Sequence, residues 1–331
     1  MIPYSKEISL IALLFLLNAC NPFSSHKKFV LLSASESQIG FNNQLVENDS
    51  LNYFTYAYMY MGGGVSIGDI NNDQLPDIYF TGNMIPNKLY LNKGNMIFED
   101  ISEAAGVSGD QRWYTGTTMI DINNDGLLDI YVSVSGKFAP RTNQLFINNG
   151  DLTFTESAAN YGLDAEEEII QTTFFDYDQD GDLDAFLANY PSTSFRTPNV
   201  KYQFLKYAKD LEKSDRLLEQ QADGTFKDVT EAAGILNFGL AISASIADFN
   251  NDGLEDIYVS NDFSTPDFLY LNNGDGTFTD KIKESTNQTA FYGMGTDAAD
   301  INNDGLIDLM QVDMAAQDNR RQKANMASMN P

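Results

Sequence analysis

The sequence has very little cysteine and histidine, the residues on which disulfides, zinc or copper sites and many nucleophilic active sites depend. Its 331 residues include one cysteine, Cys20, and one histidine, His26. One cysteine excludes a disulfide within the chain, and without further histidine or cysteine a zinc or copper site is not expected. A Ser/His/Asp or Cys/His catalytic set is not expected either, because both residues lie close to the N-terminus.

Basic residues are also scarce. The chain has 20 Lys and Arg against 47 Asp and Glu, and its formal net charge is −27. A surface that binds nucleic acid needs clustered Lys and Arg, so no nucleic-acid partner is expected. Hydrophobic residues make up 43% of the chain and aromatic residues 12%. That composition predicts a folded protein with a large core.

Long apolar runs are missing except near the N-terminus. The run over 8–17 is too short to span a bilayer comfortably but fits the hydrophobic region of a signal peptide. Residues 17–20, at the end of this run, are Leu-Asn-Ala-Cys, which resembles the lipobox of bacterial lipoproteins. We predict a lipoprotein signal peptide at 1–19, lipidation of Cys20 and a lipidated tether at 20–38. The alternatives are an ordinary signal peptide and a short membrane anchor. The prediction places the protein outside the cytoplasm, held by its lipid at a bacterial outer membrane or cell surface.

What the chain has in abundance is a nine-residue acidic pattern. In the copy at 121–129, Asp-Ile-Asn-Asn-Asp-Gly-Leu-Leu-Asp, carboxylate or carboxamide side chains occupy positions 1, 3, 5 and 9, and glycine occupies position 6. Five copies begin at residues 69, 121, 176, 248 and 300. The predicted metal ligands are Asp69, Asn71, Asp73 and Asp77; Asp121, Asn123, Asp125, Leu127 and Asp129; Asp176, Asp178, Asp180, Asp182 and Asp184; Asp248, Asn250, Asp252, Leu254 and Asp256; and Asp300, Asn302, Asp304, Leu306 and Asp308.

Such a ligand set favours calcium. Calcium takes about six to eight oxygen ligands in flexible geometry, and a main-chain carbonyl at position 7 can add to the side-chain oxygens. The third loop has the most carboxylates and should bind most tightly. The first should bind most weakly, because Gln74 replaces the glycine of the sharp turn. The alternative is that the loops are Asx turns that need no metal. We favour calcium, since clustered carboxylates repel one another without a cation, and we expect its role to be structural.

The spacing of the loops predicts the fold. Successive loops start 52, 55, 72 and 52 residues apart, a period typical of stacked supersecondary units. Short apolar strands flank each loop, and three of the units continue into a hairpin with an Asn-Gly, Lys-Gly or Asp-Gly turn. Four short strands per unit predict an all-β fold, a β-propeller of four-stranded blades with the metal loops between strands 1 and 2. A β-sandwich is the alternative, but it does not require the same loop at the same phase five times.

The repeated motifs resemble a known family. Gly-x-x-x-x-Asp-x-Asn-x-Asp-Gly-x-x-Asp-Ile-Tyr with Leu-Tyr-Leu-Asn-x-Gly is similar to FG-GAP/VCBS repeats. The motifs resemble more closely those of large bacterial lipoproteins in which an ASPIC/UnbV-type domain follows the propeller than those of integrin α subunits. The resemblance covers residues 39–331 and implies a propeller with calcium-binding loops and a role in binding or adhesion at the cell surface. Such propellers have seven blades, so five loops indicate an incomplete ring and a truncated chain. Alternatively, strands at 29–32 and 39–41 complete the fifth blade and close a small ring.

The longest spacing contains an insertion at 190–216. Its middle alternates basic and aromatic residues, and Tyr202, Phe204 and Tyr207 are candidates for binding a protein or carbohydrate ligand. The alternative is a helix on the rim with its lysines in solvent. We therefore predict a calcium-binding scaffold or binding module that is not an enzyme. A propeller-type glycan-active enzyme, or a non-catalytic part of one, is the second hypothesis.

Overall fold

Short strands separated by turn residues dominate the chain, and they assemble into separate small sheets. A computed structural model describes residues 29–56, 58–191, 205, 207–262, 265–290, 292–314 and 320. These residues form four antiparallel sheets of four strands and a fifth of two strands. In each complete sheet the strands follow one another in chain order. The predicted signal peptide and the tether up to residue 28, Cys20 included, lie outside the described residues.

Each strand coincides with one of the repeating apolar segments. The first sheet comprises β1 (Val65–Gly68), β2 (Asp77–Phe80), β3 (Lys88–Asn92) and β4 (Phe98–Asp100). The second comprises β5 (Tyr114–Ile120), β6 (Asp129–Val134), β7 (Gln144–Asn148) and β8 (Phe154–Glu156). The third comprises β9 (Ile169–Phe175), β10 (Asp184–Asn189), β11 (Arg216–Gln220) and β12 (Phe226–Asp228). The fourth comprises β13 (Ala241–Ala247), β14 (Asp256–Asn261), β15 (Phe268–Asn272) and β16 (Phe278–Asp280), and the fifth β17 (Gly293–Ala299) and β18 (Asp308–Asp313).

Helices with described bounds are short: four lie between successive sheets, one precedes the first sheet, and a 3₁₀ turn lies between the second and third strands of the third sheet. They are α1 (Ala34–Ser37), α2 (Ser102–Ala105), α3 (Ala158–Tyr161), α4 (Thr230–Ala233), α5 (Ile282–Ser285) and a 3₁₀ turn (Leu211–Lys213). Gly106, Gly162 and Gly234 end α2, α3 and α4 in the left-handed conformation, which glycine adopts without a Cβ penalty. No helix in the described ranges is both long and apolar enough to cross a bilayer.

The sheets are the blades of an open β-propeller. The first strands stand side by side, because β1 contacts β5, β5 contacts β9, β9 contacts β13 and β13 contacts β17. Apolar clusters fill the space between neighbouring blades. This arrangement confirms the propeller and rules out the β-sandwich, in which two sheets would share a single core. Within the described residues the row starts at β1 and stops at β17, and the ring is not closed.

The predicted closure of a small ring by 29–32 and 39–41 is wrong. Neither segment forms a strand, and Phe29 and Leu31 are 90% and 97% exposed. Instead, the Phe41 ring stacks on Phe80 of β2 with centroids 5.0 Å apart, and the Gly40 N–H donates to the Tyr90 hydroxyl. Since 39–41 lie on the first blade, they cover part of its outer face and do not pair with the fifth.

A segment that the sequence patterns did not explain crosses one end of the propeller. We call residues 41–61 the strap. Tyr56 packs edge-on against Trp113, which precedes the second blade, at a centroid distance of 5.0 Å. Tyr58 packs against Tyr190, after the second strand of the third blade, at 4.8 Å. Since Asn43 also exchanges hydrogen bonds with Asn83 of the first blade, the strap joins three blades at the end opposite the acidic loops.

Candidate metal loops

All five acidic loops have the same backbone shape. Position 4 is left-handed in every loop, with φ between 58° and 62°, and position 6 is left-handed in the four loops that have glycine there. Asparagine or glutamine at position 4 tolerates this region better than most side chains do. In the first loop Gln74 adopts φ 71° at position 6. Gln74 therefore keeps the sharp turn without glycine, in a region where a side chain is strained.

The first aspartate of each loop organises the turn. In every loop its carboxylate accepts the main-chain N–H at position 6, and in all but the third loop it also accepts the N–H at position 5. Asp121, for example, accepts from Asp125 at 3.0 Å and from Gly126 at 2.8 Å. The position-3 and position-5 side chains accept from N–H groups two residues later. These are the Asx turns of the alternative hypothesis, and they are present. They fix the shape of each loop without consuming all the lone pairs of its side-chain oxygens. Among the described residues, only the third loop brings three carboxylates within 4.8 Å of one another.

The last aspartate of each of the first four loops is buried at the start of the second strand, and Asp308 of the fifth loop is half-buried. Asp129 is 0% exposed, and its two oxygens accept from the main-chain N–H of Ile122 at 3.2 Å and of Asn148 at 2.7 Å. Burial raises the pKa of Asp129 to about 6 and that of Asp184 to about 7. In both cases the neighbouring loop carboxylates raise the pKa further, while hydrogen bonds oppose the shift. A cation at the loop centre would relieve this electrostatic cost.

The third loop differs from the others at one atom. Oxygens of Asp176, Asp178 and Asp184 lie within 4.8 Å of one another. In the other four loops, Oδ1 of the first aspartate accepts the position-5 N–H. Oδ1 of Asp176 is instead buried without a hydrogen-bond partner. A buried carboxylate oxygen without a partner is costly, and its position among two further carboxylates fits a bound cation.

Loops of neighbouring blades are linked by hydrogen bonds. Asn72 Nδ2 donates to the carbonyl of Gly126 at 3.0 Å, and Gln179 Nε2 donates to that of Gly253 at 2.9 Å. These donors are the position-4 side chains, which the sequence pattern did not identify as functional. From the sequence, asparagine or glutamine at position 4 indicates only that the residue tolerates the left-handed backbone region. The loops therefore connect blades as well as strands.

The predicted ligand-binding aromatic residues are only partly described. Tyr202 and Phe204 lie outside the described residues. Tyr207 is helical and 87% exposed, and nearby Lys209 forms an ion pair with Glu231 at 2.8 Å. Exposed aromatic residues of the strap, among them Phe54 at 91% exposure, form a second aromatic surface that sequence analysis missed.

Comparison with known proteins identifies the same repeats as the sequence motifs do. The model of the FG-GAP-like repeat matches residues 69–132, 207–259 and 248–310, which together make up half of the chain. Cartilage acidic protein 1 from Xenopus tropicalis is 28% identical over 206 residues, covering 61% of this chain and 29% of that protein. The human protein of that name is 27% identical over 235 residues, covering 70% of this chain and 33% of its own. The chain thus spans about a third of these relatives.

Proposed function

Since this chain belongs to the FG-GAP-like repeat family, we propose that it is a calcium-stabilised binding module in which the ion holds each loop together. The fold and the repeats support a propeller-type binding module. The observation that carries the calcium proposal is the third loop, where the partnerless Oδ1 of Asp176 lies among converging carboxylates. Carboxylate, carboxamide and carbonyl oxygens are ligands for a hard cation.

Calcium would act on stability. Each loop connects the first two strands of a blade, and the first and last aspartates already bind the loop's own N–H groups. A cation that binds the folded loops but not the unfolded chain stabilises the fold by about 3 kcal/mol per site at a hundredfold excess over its Kd. We therefore expect removal of calcium to lower the melting temperature of the protein.

The test is calcium titration of the chain after removal of bound ions. We expect heat of binding by isothermal titration calorimetry, and a lower melting temperature in excess EDTA than in calcium. Asp178→Asn gives the third loop the residue found at position 3 of the other four and should weaken its calcium binding roughly tenfold, because one ligand charge is lost. Asp182 is at position 7, where the main-chain carbonyl is the expected ligand. Asp182→Asn keeps that carbonyl, removes a side-chain charge that is not part of the converging set and serves as the control. Absence of calcium uptake would refute the proposal.

The finer parts of the function rest on the sequence patterns. We propose that the protein is an extracytoplasmic lipoprotein anchored through Cys20, with a protein or carbohydrate ligand on the surface that contains Tyr207. The relatives are named as acidic proteins of cartilage, and this chain is likewise acidic, with a formal net charge of −27. We propose no catalytic role. Mass spectrometry of the membrane-extracted protein tests the lipid, and a glycan array with a Tyr207→Ala comparison tests the carbohydrate ligand.

A further inference from the structure

A groove opens between the second and third blades, at the end of the propeller that carries the acidic loops. Its volume is about 670 Å³, and sites for small ligands commonly have about 300–1,000 Å³. The second loop forms one wall and the third loop another, and the remaining sides are α3 and the turn between β11 and β12. Both blades are complete and have a described blade on either side, so the groove does not depend on where the described chain begins or ends.

The groove lies where a link between neighbouring loops is missing. Between the first and second blades, and between the third and fourth, the position-4 side chain donates to the position-6 carbonyl of the next loop. The corresponding pair here is Asn124 and Gly181, which both line the groove, and in the described part of the chain no hydrogen bond joins them. Deeper down the blades are still joined, because Gln220 donates to the carbonyl of Ile122 at 3.1 Å. The opening is therefore confined to the loops.

One wall of the groove departs from the repeat. The helix α3 ends in Asn160-Tyr161, whereas α2 ends in Ala104-Ala105 and α4 in Ala232-Ala233. The Tyr161 ring packs on the apolar cluster between the second and third blades and remains partly exposed at the groove. Packing between blades does not require a tyrosine at this position, because alanine occupies it in α2 and α4. The ring is thus a fixed aromatic surface that the other blade junctions with these helices do not have.

The charge of the lining disfavours an anionic ligand. Three carboxylates line the groove, those of Asp121, Asp182 and Asp223, and none of the described residues that line it is basic. A phosphate, sulfate or uronate group would be repelled. Two of the carboxylates already accept hydrogen bonds: Asp121 from its own loop, and Asp223 from the N–H and the hydroxyl of Thr225 at 3.0 and 2.6 Å. A cationic ligand would therefore depend mainly on Asp182.

Carboxamides outnumber the carboxylates in the lining. They are Asn123, Asn124, Asn160, Gln220 and Gln221. The side chains of Asn124 and Asn160 are exposed and make no hydrogen bond to another described residue, so both are available to a ligand. A carboxamide both donates and accepts, as a hydroxyl group does. The aromatic face of Tyr161 matches the C–H face of a sugar ring, because both surfaces are apolar.

We propose that the groove binds a neutral pyranose unit of a saccharide. The Tyr161 ring lies against the C–H face of the sugar, and the carboxamides of Asn124 and Asn160 form hydrogen bonds with its hydroxyl groups. The inference rests on the proposed function in taking the protein to be a binding module, but it places the site between two loops and not on the surface that contains Tyr207.

The test is a glycan array that carries neutral, sulfated and uronic-acid-containing saccharides, probed with the protein in saturating calcium over a series of protein concentrations. We expect saturable binding to a subset of the neutral saccharides. Tyr161→Ala gives α3 the residue that α2 and α4 have at this position, so the fold should be retained, as an unchanged thermal melt would show. Its apparent affinity should fall roughly tenfold or more, because the aromatic surface is lost.

A pair of matched variants locates the site on the loops. Asn124→Gly removes the carboxamide without straining the left-handed position, where φ is 60°, and should weaken binding by about three- to tenfold. Asn251→Gly is the control, because Asn251 occupies the same position of the fourth loop with φ 61° and does not line the groove. It should leave binding unchanged.

Several results would overturn the inference. Absence of binding to neutral saccharides would do so, as would equal effects of Asn124→Gly and Asn251→Gly. Binding that Tyr207→Ala abolishes and Tyr161→Ala leaves intact would overturn this site while upholding the carbohydrate ligand of the proposed function. Saturable binding of a labelled octa-arginine peptide, lost in Asp182→Asn but not in Tyr161→Ala, would show that the groove takes cationic ligands instead. Calcium titration is a separate measurement, so the calcium proposal stands or falls independently.

Discussion

The hydrogen bonds between blades allow a direct test of how the propeller is held together. Asn272, which ends β15 and is 4% exposed, donates through Nδ2 to the carbonyl of Tyr177 in the preceding blade at 2.7 Å. The same group is 3.3 Å from the Glu255 carbonyl, and Oδ1 accepts the Gly274 N–H at 2.9 Å. Asn272→Ala removes these bonds and leaves the buried Tyr177 carbonyl without this donor. At about 1 kcal/mol per hydrogen bond, the expected loss of unfolding free energy is about 3 kcal/mol.

The first blade provides the matched control. Asn92 ends β3, is 7% exposed, donates to Pro76 at 2.9 Å and accepts from Gly94 at 2.9 Å. It has no preceding blade among the described residues and makes no bond of the kind that Asn272 makes to Tyr177. Asn92→Ala should therefore cost about 1–2 kcal/mol less than Asn272→Ala. Urea denaturation of both variants in saturating calcium measures the difference. Equal losses, to within about 0.5 kcal/mol, would refute the view that these side chains join the blades.

Three other substitutions test separate features. Gln74→Gly should raise the unfolding free energy by up to about 1 kcal/mol, because it removes a side chain at φ 71°; a thermal melt that shows no gain would contradict the strain. Asp215 is 0% exposed, and burial raises its pKa to about 7, so the folded protein retains a proton that the unfolded chain releases above about pH 4. Its contribution to stability therefore falls as pH rises from about 4 to 7, by at most about 1.4 kcal/mol per pH unit. In Asp215→Asn the unfolding free energy, measured by urea denaturation, should decline less over that pH range than in the unsubstituted protein. The same pH dependence in both proteins would argue against the raised pKa of Asp215. Tyr56→Ala should shift the emission of Trp113, the only tryptophan, to longer wavelength, because the strap ring that covers the indole is removed; an unchanged spectrum would mean that the strap does not shield it.

The fold class could be predicted because its determinants are local and repeated. Each unit places oxygen-bearing residues at alternate loop positions, a left-handed residue at position 6 (glycine in four of the five) and apolar strands on both sides, and these choices act within about ten residues. Repetition then identifies the architecture, since similar units must stack to bury their faces. The strained position of Gln74 was predictable for the same reason: a turn that favours glycine strains any side chain placed there.

The candidate metal site was predictable in composition but not in its details. Sequence spacing brings Asp176, Asp178 and Asp184 to one loop. It does not reveal that Oδ1 of Asp176 has no hydrogen bond while its counterparts in the other loops have one, because that difference depends on small changes in backbone geometry. The depth of Asp184 within the sheet also follows from packing, and with it the rise of its pKa to about 7.

The contacts that join one blade to the next, and the segment that lies across the end of the propeller, depend on tertiary packing. Tyr177 is separated from Asn272 by 95 residues, and the sequence gives no local indication that one donates to the other. The strap has no strand pattern or repeat, and its course is set by where Tyr56 and Tyr58 find aromatic partners on the second and third blades. Local preferences determine strands and turns because they depend on neighbouring residues. Contacts between distant segments depend instead on the shape that all the blades make together.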